Sequence, residues 1–374
     1  MPRFFRRMAA FVLAMLCLTA SMTCRAAAPI ISASAYVLMD ADSGRVLLAR
    51  DETAEKPIAS TTKIMTALVA LRHSRPTDEV TVRREHLKEG SSMYLIEGET
   101  LTMEALLYGL MLPSGNDAAE CIADACGGTE QFIIWMNETA AELGMTHSAF
   151  ANPSGLDALG HYSCALDMAR LMAYAMTVPA FAQLASAKNV TAGNRVMSNH
   201  NKLLGTVEGC IGGKTGYTGS AGRTLVTCAE RGGLRLIAVT LNDGSDWADH
   251  TALYEYGFEH YHCQTAVRRG EVLAECAVRG GESVSVPLTA ERTFSCAVAE
   301  GEELTLHIET QETARAPVTA GQRLGEVTIL LGDKELGCLG LTARHGVSAV
   351  TFSQKMTIFD KLRALFGASE REAP

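Results

Sequence analysis

The sequence is poor in charge. Only 20% of its 374 residues are Asp, Glu, Lys or Arg, and their balance is acidic at −9. Nothing supplies a basic stripe, which excludes a general nucleic-acid binder. Eleven cysteines are present, yet none forms a Cys-x-x-Cys pair and no histidine cluster stands at metal-ligand spacing. No metal and no cofactor is therefore expected. Internal repeats and low-complexity segments are also missing. What the chain does have is 47% hydrophobic residues, enough for a sizeable globular core, and a length that allows two domains.

The two ends read differently from the middle. Arg3, Arg6 and Arg7 precede an apolar run at residues 8–20, which is too short to span comfortably as a mature helix. Small residues at Ala26, Ala27 and Ala28 offer a cleavage site near Pro29. Residues 1–28 are expected to be an export signal, placing the protein at the outer face of the cytoplasmic membrane, in the periplasm or in the wall. Cys24 invites a lipoprotein reading, but Ser21-Met22-Thr23 is a poor lipobox. Cys17 and Cys24 fall in this leader, leaving nine cysteines, an odd number, so at least one thiol stays unpaired in the monomer. At the other end, residues 351–374 space Phe352, Met356, Phe359, Leu362 and Phe366 on one helical face, with Lys355, Lys361 and Arg363 elsewhere. That pattern suits a membrane interface, with an ordinary amphipathic helix packed on the protein as the alternative.

The chain is organised around Ile58-Ala59-Ser60-Thr61-Thr62-Lys63-Ile64. Ile64, Leu68 and Leu71 recur at helical spacing, which predicts a helix carrying Ser60 and Lys63 in its first turn. Side chains three residues apart are neighbours on a helix, so a hydroxyl and an amine can share a hydrogen bond. The positive end of the helix dipole and burial both disfavour the ammonium form. Lys63 can then take a proton from Ser60, a route to an activated serine without histidine. Ser-x-x-Lys is also an ordinary cap beside a solvated lysine, so the stretch does not decide the matter alone.

Two further clusters follow. A helix expected over residues 102–111 is broken by Pro113, and Ser114-Gly115-Asn116 then links it to a second helix that Asp117 is expected to cap. Strands are expected over residues 209–216, 223–228 and 234–241, after a hairpin over residues 36–49. Lys214-Thr215-Gly216 closes the first of these strands, where a cation, a hydroxyl and a missing side chain can hold an extended peptide and its carboxylate. An exposed edge-strand lysine that blocks aggregation is the plainer alternative. His161, in a turn-rich segment after Asn152-Pro153-Ser154-Gly155, is either catalytic or, as lone loop histidines more often are, structural. From about residue 263, short strands at regular spacing, such as 284–286, 304–308 and 327–331, suggest a small all-β domain.

Taken together and in order, Ser60-Thr61-Thr62-Lys63, Ser114-Gly115-Asn116 and Lys214-Thr215-Gly216 resemble the three motifs of the penicillin-recognising serine enzymes. Gly90-Ser91-Ser92-Met93, residues 101–119, Asn152-Pro153-Ser154-Gly155-Leu156 and the continuation to Tyr217-Thr218 narrow the resemblance to the low-molecular-mass D-alanyl-D-alanine carboxypeptidases. It implies an α+β fold of the β-lactamase/transpeptidase kind, an antiparallel sheet flanked by helices over residues 29–262. A β-rich C-terminal domain over 263–350 and a membrane-anchoring segment over 351–374 would follow.

The resemblance also implies roles. Ser60 would attack the bond between two D-alanines of a peptidoglycan stem peptide, Lys63 would accept its proton, and Ser114 would relay a proton to the leaving D-alanine. Asn116 would bind the substrate backbone, Lys214 and Thr215 the terminal carboxylate beside Gly216. The backbone N–H groups of Ser60 and Tyr217 would form an oxyanion hole, worth ~3 kcal/mol per donor. Penicillins and other β-lactams would acylate Ser60 and stall. Family members often carry histidine where Tyr217 stands, and no Glu-x-x-Leu-Asn segment appears, which disfavours a class A β-lactamase. Two alternatives stay open at this point, an endopeptidase cutting cross-links and a non-catalytic peptidoglycan-binding protein.

Overall fold

The structure is a computed structural model and describes residues 27–192 and 194–350. The chain divides after Ile30, and the account that follows concerns the unit beginning at Ile31. The expected leader, apart from its last two residues, and the amphipathic segment 351–374 lie outside the described residues.

Five strands form the central sheet: β1 (Ala35–Asp40), β2 (Val46–Arg50), β7 (Cys210–Thr218), β8 (Gly222–Arg231) and β9 (Leu234–Leu241). Their order is β2-β1-β9-β8-β7, antiparallel throughout. Successive residues of β1 and β9 enter opposite cores: Val37, Met39, Ile237 and Val239 face one, while Leu38, Leu236 and Ala238 face the other. A strand buried on both faces reads as a continuous apolar run, which is how these segments appear in the sequence. One face is covered by α8 (Asp246–His260), through Leu253 and Tyr254. This helix has no sequence expectation, because its apolar side chains are interleaved with Asp, Glu and His.

The larger core lies on the other face. At its centre runs α1 (Lys63–His73), buried continuously from Lys63 to Ala70. Around it pack α2 (Met103–Met111), α3 (Asn116–Ala125), α4 (Thr129–Glu142), α5 (Ala165–Ala175) and α6 (Pro179–Ser186). Two small hairpins, β3–β4 (Glu79–Thr81 with Thr100–Thr102) and β5–β6 (Asn189–Ala192 with Arg195–Ser198), and the short α7 (Leu203–Thr206) complete this part.

Strands β10 to β17 make an all-β domain with its own core, including Val286, Leu288, Val327, Ile329, Leu339 and Leu341. It comprises a pair, β10 (Tyr261–Val267) with β13 (Phe294–Ala299), and a six-stranded sheet. That sheet runs β14 (Leu304–Thr310), β16 (Arg323–Leu331), β17 (Lys334–Ala343), β12 (Ser285–Ala290), β11 (Val272–Arg279) and β15 (Thr313–Arg315). The β1–β2 turn holds this domain. The Arg45 guanidinium donates to both Glu302 carboxylate oxygens at 2.7 Å and to the Ala297 carbonyl at 2.7 Å, while the buried Asp40 carboxylate accepts from the Ala297 N–H at 2.9 Å. All nine cysteines of the described residues are free thiols, six of them buried.

Candidate active site

The local geometry starts with a 3₁₀ turn, Ala59–Thr62, that runs directly into α1. The expected α-helical first turn is thus tighter than the sequence suggests. In a 3₁₀ turn side chains at i and i+3 eclipse, which brings Lys63 Nζ to 2.9 Å from Ser60 Oγ. Ala59, immediately before the serine, has φ +48°, a left-handed conformation that costs an alanine on the order of 1–3 kcal/mol. The threonines around Ser60 hold the turn in place. Thr61 donates to the Ile58 carbonyl at 2.6 Å, Thr66 to the Pro153 carbonyl at 2.6 Å, and Thr62 meets His161 Nε2 at 2.8 Å.

His161 therefore has a structural place. The Ala151 N–H donates to its Nδ1 at 3.0 Å, so the ring proton sits on Nε2 and points at Thr62. Burial holds the imidazole down at a pKa of about 4, a neutral group in the structure's interior.

Lys63 is fully buried, so the solvated lysine is ruled out. Its amine also donates to Asn116 Oδ1 at 2.7 Å, and Asn116 is fixed in turn by its Nδ2 donating to the Glu89 carbonyl at 2.8 Å. Desolvation, then the positive charge of Lys214, hold the Lys63 amine well below the ordinary lysine value; Asp117 and Glu120 oppose this. A neutral amine donating to Asn116 keeps a lone pair for the Ser60 hydroxyl proton.

Ser114 enters from the α2–α3 link with φ +65°, again a strained conformation for a residue with a side chain. Asp117 does not cap α3. The cap position is Gly115, and Asp117 lies inside the first turn with its carboxylate turned toward the 92–95 backbone.

Lys214 projects inward from the edge strand β7 and is 1% exposed, which excludes the aggregation-blocking reading. Its amine donates to Ser114 Oγ at 2.9 Å and to the Thr215 carbonyl at 3.1 Å. Burial brings its pKa down to about 7. Gly216 is where β7 crosses the Ser60 turn. A Cβ there would stand 2.9 Å from the Ser60 nitrogen and 3.0 Å from the Thr61 nitrogen, so only glycine permits this approach. Tyr217 is 70% exposed, its ring outside and its backbone on the strand.

Ser60, Ser114, Thr215, Gly216 and Tyr217 line one cavity of about 370 Å3. Lys63 and Asn116 stand behind it, the lysine bonded to both Ser60 and Asn116. All eight residues singled out in the sequence are thus brought together, from segments about 150 residues apart. The cavity also has residues that sequence reasoning missed: Ser91, His200, Arg223, Asp246 and Trp247. Arg223 pairs with both oxygens of Asp246 (3.0 and 2.6 Å), and its guanidinium lies 5.8 Å from the Trp247 ring centre. Ser91 belongs to a motif the resemblance rests on but has no role assigned there; no local motif marks the others, and Arg223, Asp246 and Trp247 reach the cavity only through the stacking of β8 and α8.

The sequence pattern of the D-alanyl-D-alanine carboxypeptidase family matches residues 22–245, more than half of the chain. The chain belongs to that family. A second pattern, the C-terminal domain of penicillin-binding protein 5, matches residues 261–348. Among curated relatives, D-alanyl-D-alanine carboxypeptidase DacB2 of Mycobacterium tuberculosis is 36% identical over 60% of this chain and 82% of its own length. DacD of Escherichia coli is 33% identical over 82% of this chain and 85% of its own. Among solved structures, penicillin-binding protein 5 of Haemophilus influenzae is 28% identical with a TM-score of 0.76, covering 86% of this chain and 99% of that one. The family's chemistry is that of a serine peptidase, and this carboxypeptidase is a hydrolase of the penicillin-binding fold.

Proposed function

We propose that Ser60 is the nucleophile of a D-Ala-D-Ala carboxypeptidase acting on peptidoglycan stem pentapeptides. The observation that carries this reading is the Ser60–Lys63–Asn116 chain, with hydrogen bonds of 2.9 and 2.7 Å, in which the serine lines the cavity and the lysine and asparagine are buried behind it. Ser60 Oγ adds to the carbonyl carbon between the two D-alanines as its proton passes to Lys63 Nζ. The oxyanion forms against the backbone N–H groups of Ser60 and Tyr217, which Gly216 brings close by its lack of a side chain. Collapse breaks the C–N bond, and the leaving amine takes a proton from Ser114, which is replenished from Lys63. Water then attacks the acyl carbonyl as its proton passes to Lys63 Nζ, and the ester C–O bond breaks as that proton returns to Ser60 Oγ. Asn116 orients the substrate backbone, and Lys214 with Thr215 holds the terminal carboxylate. β-Lactams enter by the same first step and stall at the acyl-enzyme.

The flanking regions complete the proposal. Residues 1–28 direct export, 29–262 form the catalytic domain, 263–350 the β-rich domain, and 351–374 lie in the membrane interface. Among the described residues no helix is long and apolar enough to cross a membrane. A surface anchor is the mode that the spacing of Phe352, Met356, Phe359, Leu362 and Phe366 supports, in a segment outside the described residues.

Mass spectrometry of the intact protein after benzylpenicillin tests the centre of this reading. One covalent adduct, absent in Ser60→Ala, is expected, together with release of free D-alanine from a pentapeptide. An unmodified protein would sink it. Equal binding of the full chain and of a form lacking residues 351–374 to anionic vesicles would remove the anchor.

A further inference from the structure

The backbone from residue 89 to 95 is neither helix nor strand, yet it borders the cavity through Ser91 and supplies the carbonyls that hold Asn116. Asn116 donates from its backbone to Ser91 O at 2.7 Å and from its side chain to Glu89 O at 2.8 Å. Whatever fixes this loop therefore fixes Asn116. Resting on the assignment of Ser60 as nucleophile, we propose that Asp117 and Arg195 clamp the 89–95 loop from its two sides. Asp117 is thereby a positioning residue for the Asn116–Lys63–Ser60 chain.

The hydrogen bonds divide by sign. On the inside, the buried Asp117 carboxylate accepts four donors: Met93 N at 3.0 Å and Ala118 N at 2.9 Å on one oxygen, Leu95 N at 3.1 Å and Ser92 Oγ at 2.5 Å on the other. On the outside, the Arg195 guanidinium donates to Met93 O at 2.8 Å and Tyr94 O at 2.7 Å. Arg195 is itself anchored on both oxygens of Glu99 (3.0 and 2.6 Å). A loop without secondary structure must place its amides and carbonyls somewhere, and here a carboxylate takes the Met93 and Leu95 amides and a guanidinium the Met93 and Tyr94 carbonyls.

Space has been cleared for this arrangement. A Cβ on Gly115 would sit 2.6 Å from Asp117 Oδ1, and one on Gly90 would sit 2.8 Å from Asn116 Nδ2. The four accepted bonds fill both carboxylate oxygens, so an asparagine at 117 would turn an NH2 group against two donors. It would also remove a charge. Lys63 is faced by Lys214 from β7 and by Asp117 and Glu120 from α3, and of these Asp117 and Glu120 favour its protonated form.

The two halves of the clamp separate experimentally. The second-order rate of acylation by benzylpenicillin is measured from pH 5 to 9 on the full chain, alongside thermal unfolding, for the parent, Asp117→Asn and Arg195→Gln. Asp117→Asn is expected to slow acylation by about 30- to 100-fold while moving its acid limb to lower pH. Arg195→Gln, which loosens the loop and leaves the charges around Lys63 in place, is expected to slow acylation by about 5- to 10-fold with the limb unmoved. A purely structural role would lower the unfolding temperature and leave the acid limb and the rate of the folded fraction as they are; that outcome overturns the clamp. Should Asp117→Asn fail to fold, Arg195→Gln and Ser92→Ala decide, and rates within about twofold of the parent in both refute it. A parent that is not acylated at all refutes the nucleophile assignment, and the clamp falls with it.

Discussion

The contact between Gly216 and the Ser60 turn gives the sharpest test of how the site is assembled. In Gly216→Ala the new Cβ meets the Ser60 nitrogen at 2.9 Å and the Thr61 nitrogen at 3.0 Å, and it also collides with Thr224 Oγ1. Ordinary contact begins near 3.4 Å, so β7 and the turn must part by 0.4 to 0.5 Å. None of the three neighbours can yield easily. Two are backbone, and Thr224 is buried with its hydroxyl donating to the Ile58 carbonyl at 3.1 Å. Overpacking of this kind costs about 1–3 kcal/mol of stability. Its larger effect is on rate, because the separation opens the gap between the Ser60 and Tyr217 N–H groups in which the oxyanion forms. Misplacement on this scale, or loss of one such donor, costs about a hundredfold. Stopped-flow acylation by a fluorescent penicillin measures this directly. Gly219→Ala is the control, since a Cβ there meets nothing within 4 Å and should leave the rate within about twofold. Acylation of Gly216→Ala within threefold of Gly219→Ala would refute the close-approach reasoning.

Lys63→Ala should lower the acylation rate by about a thousandfold, because it removes the base; since the side chain lost is fully buried, circular dichroism checks that the protein stays folded. For pH, kcat/KM on a pentapeptide should fall as pH rises through about 7, the value to which burial brings Lys214, since the neutral amine no longer attracts the terminal carboxylate. The same lysine is linked to stability. Its folded pKa lies below the 10.5 of an ordinary lysine, so the unfolded chain binds more protons between these values and stability rises with pH there. Lys214→Met should flatten that rise between pH 7 and 9 in thermal melts. His161 acts in the acid range. Its pKa of about 4 against 6.5 means that stability is lost as pH falls through this window, and His161→Phe should reduce the slope of chemical-denaturation free energy against pH between those limits.

The three clusters that carry chemistry were legible because each is a run of three or four residues with a physical reason of its own. A hydroxyl and an amine three apart, a polar link after a broken helix, and a cation beside glycine at a strand end can all be recognised locally. The sheet was legible for a similar reason: β1, β2, β8 and β9 carry apolar runs bounded by turn residues. Helix α8 was not, since its buried Tyr254 and Leu253 share the helix with buried Asp246, Asp249 and His250, which find partners on distant segments, Arg223, Ser32 and Thr227. Asp117 was misplaced as a cap for the same cause. Asp at a helix start ordinarily caps, and only the approach of the 92–95 loop, far away in sequence, gives its carboxylate other donors.

The amino-acid order by itself determined which groups this protein can use: one serine and lysine held a turn apart, a second serine, an asparagine, and a lysine on an edge strand. Tertiary structure decided what those groups are. Burial of Lys63 and Lys214 lowers the proton affinity of both amines, a result no local pattern contains, because desolvation depends on everything packed around them. It also decided the remaining walls of the cavity, where Arg223, Asp246 and Trp247 arrive by strand pairing and helix packing.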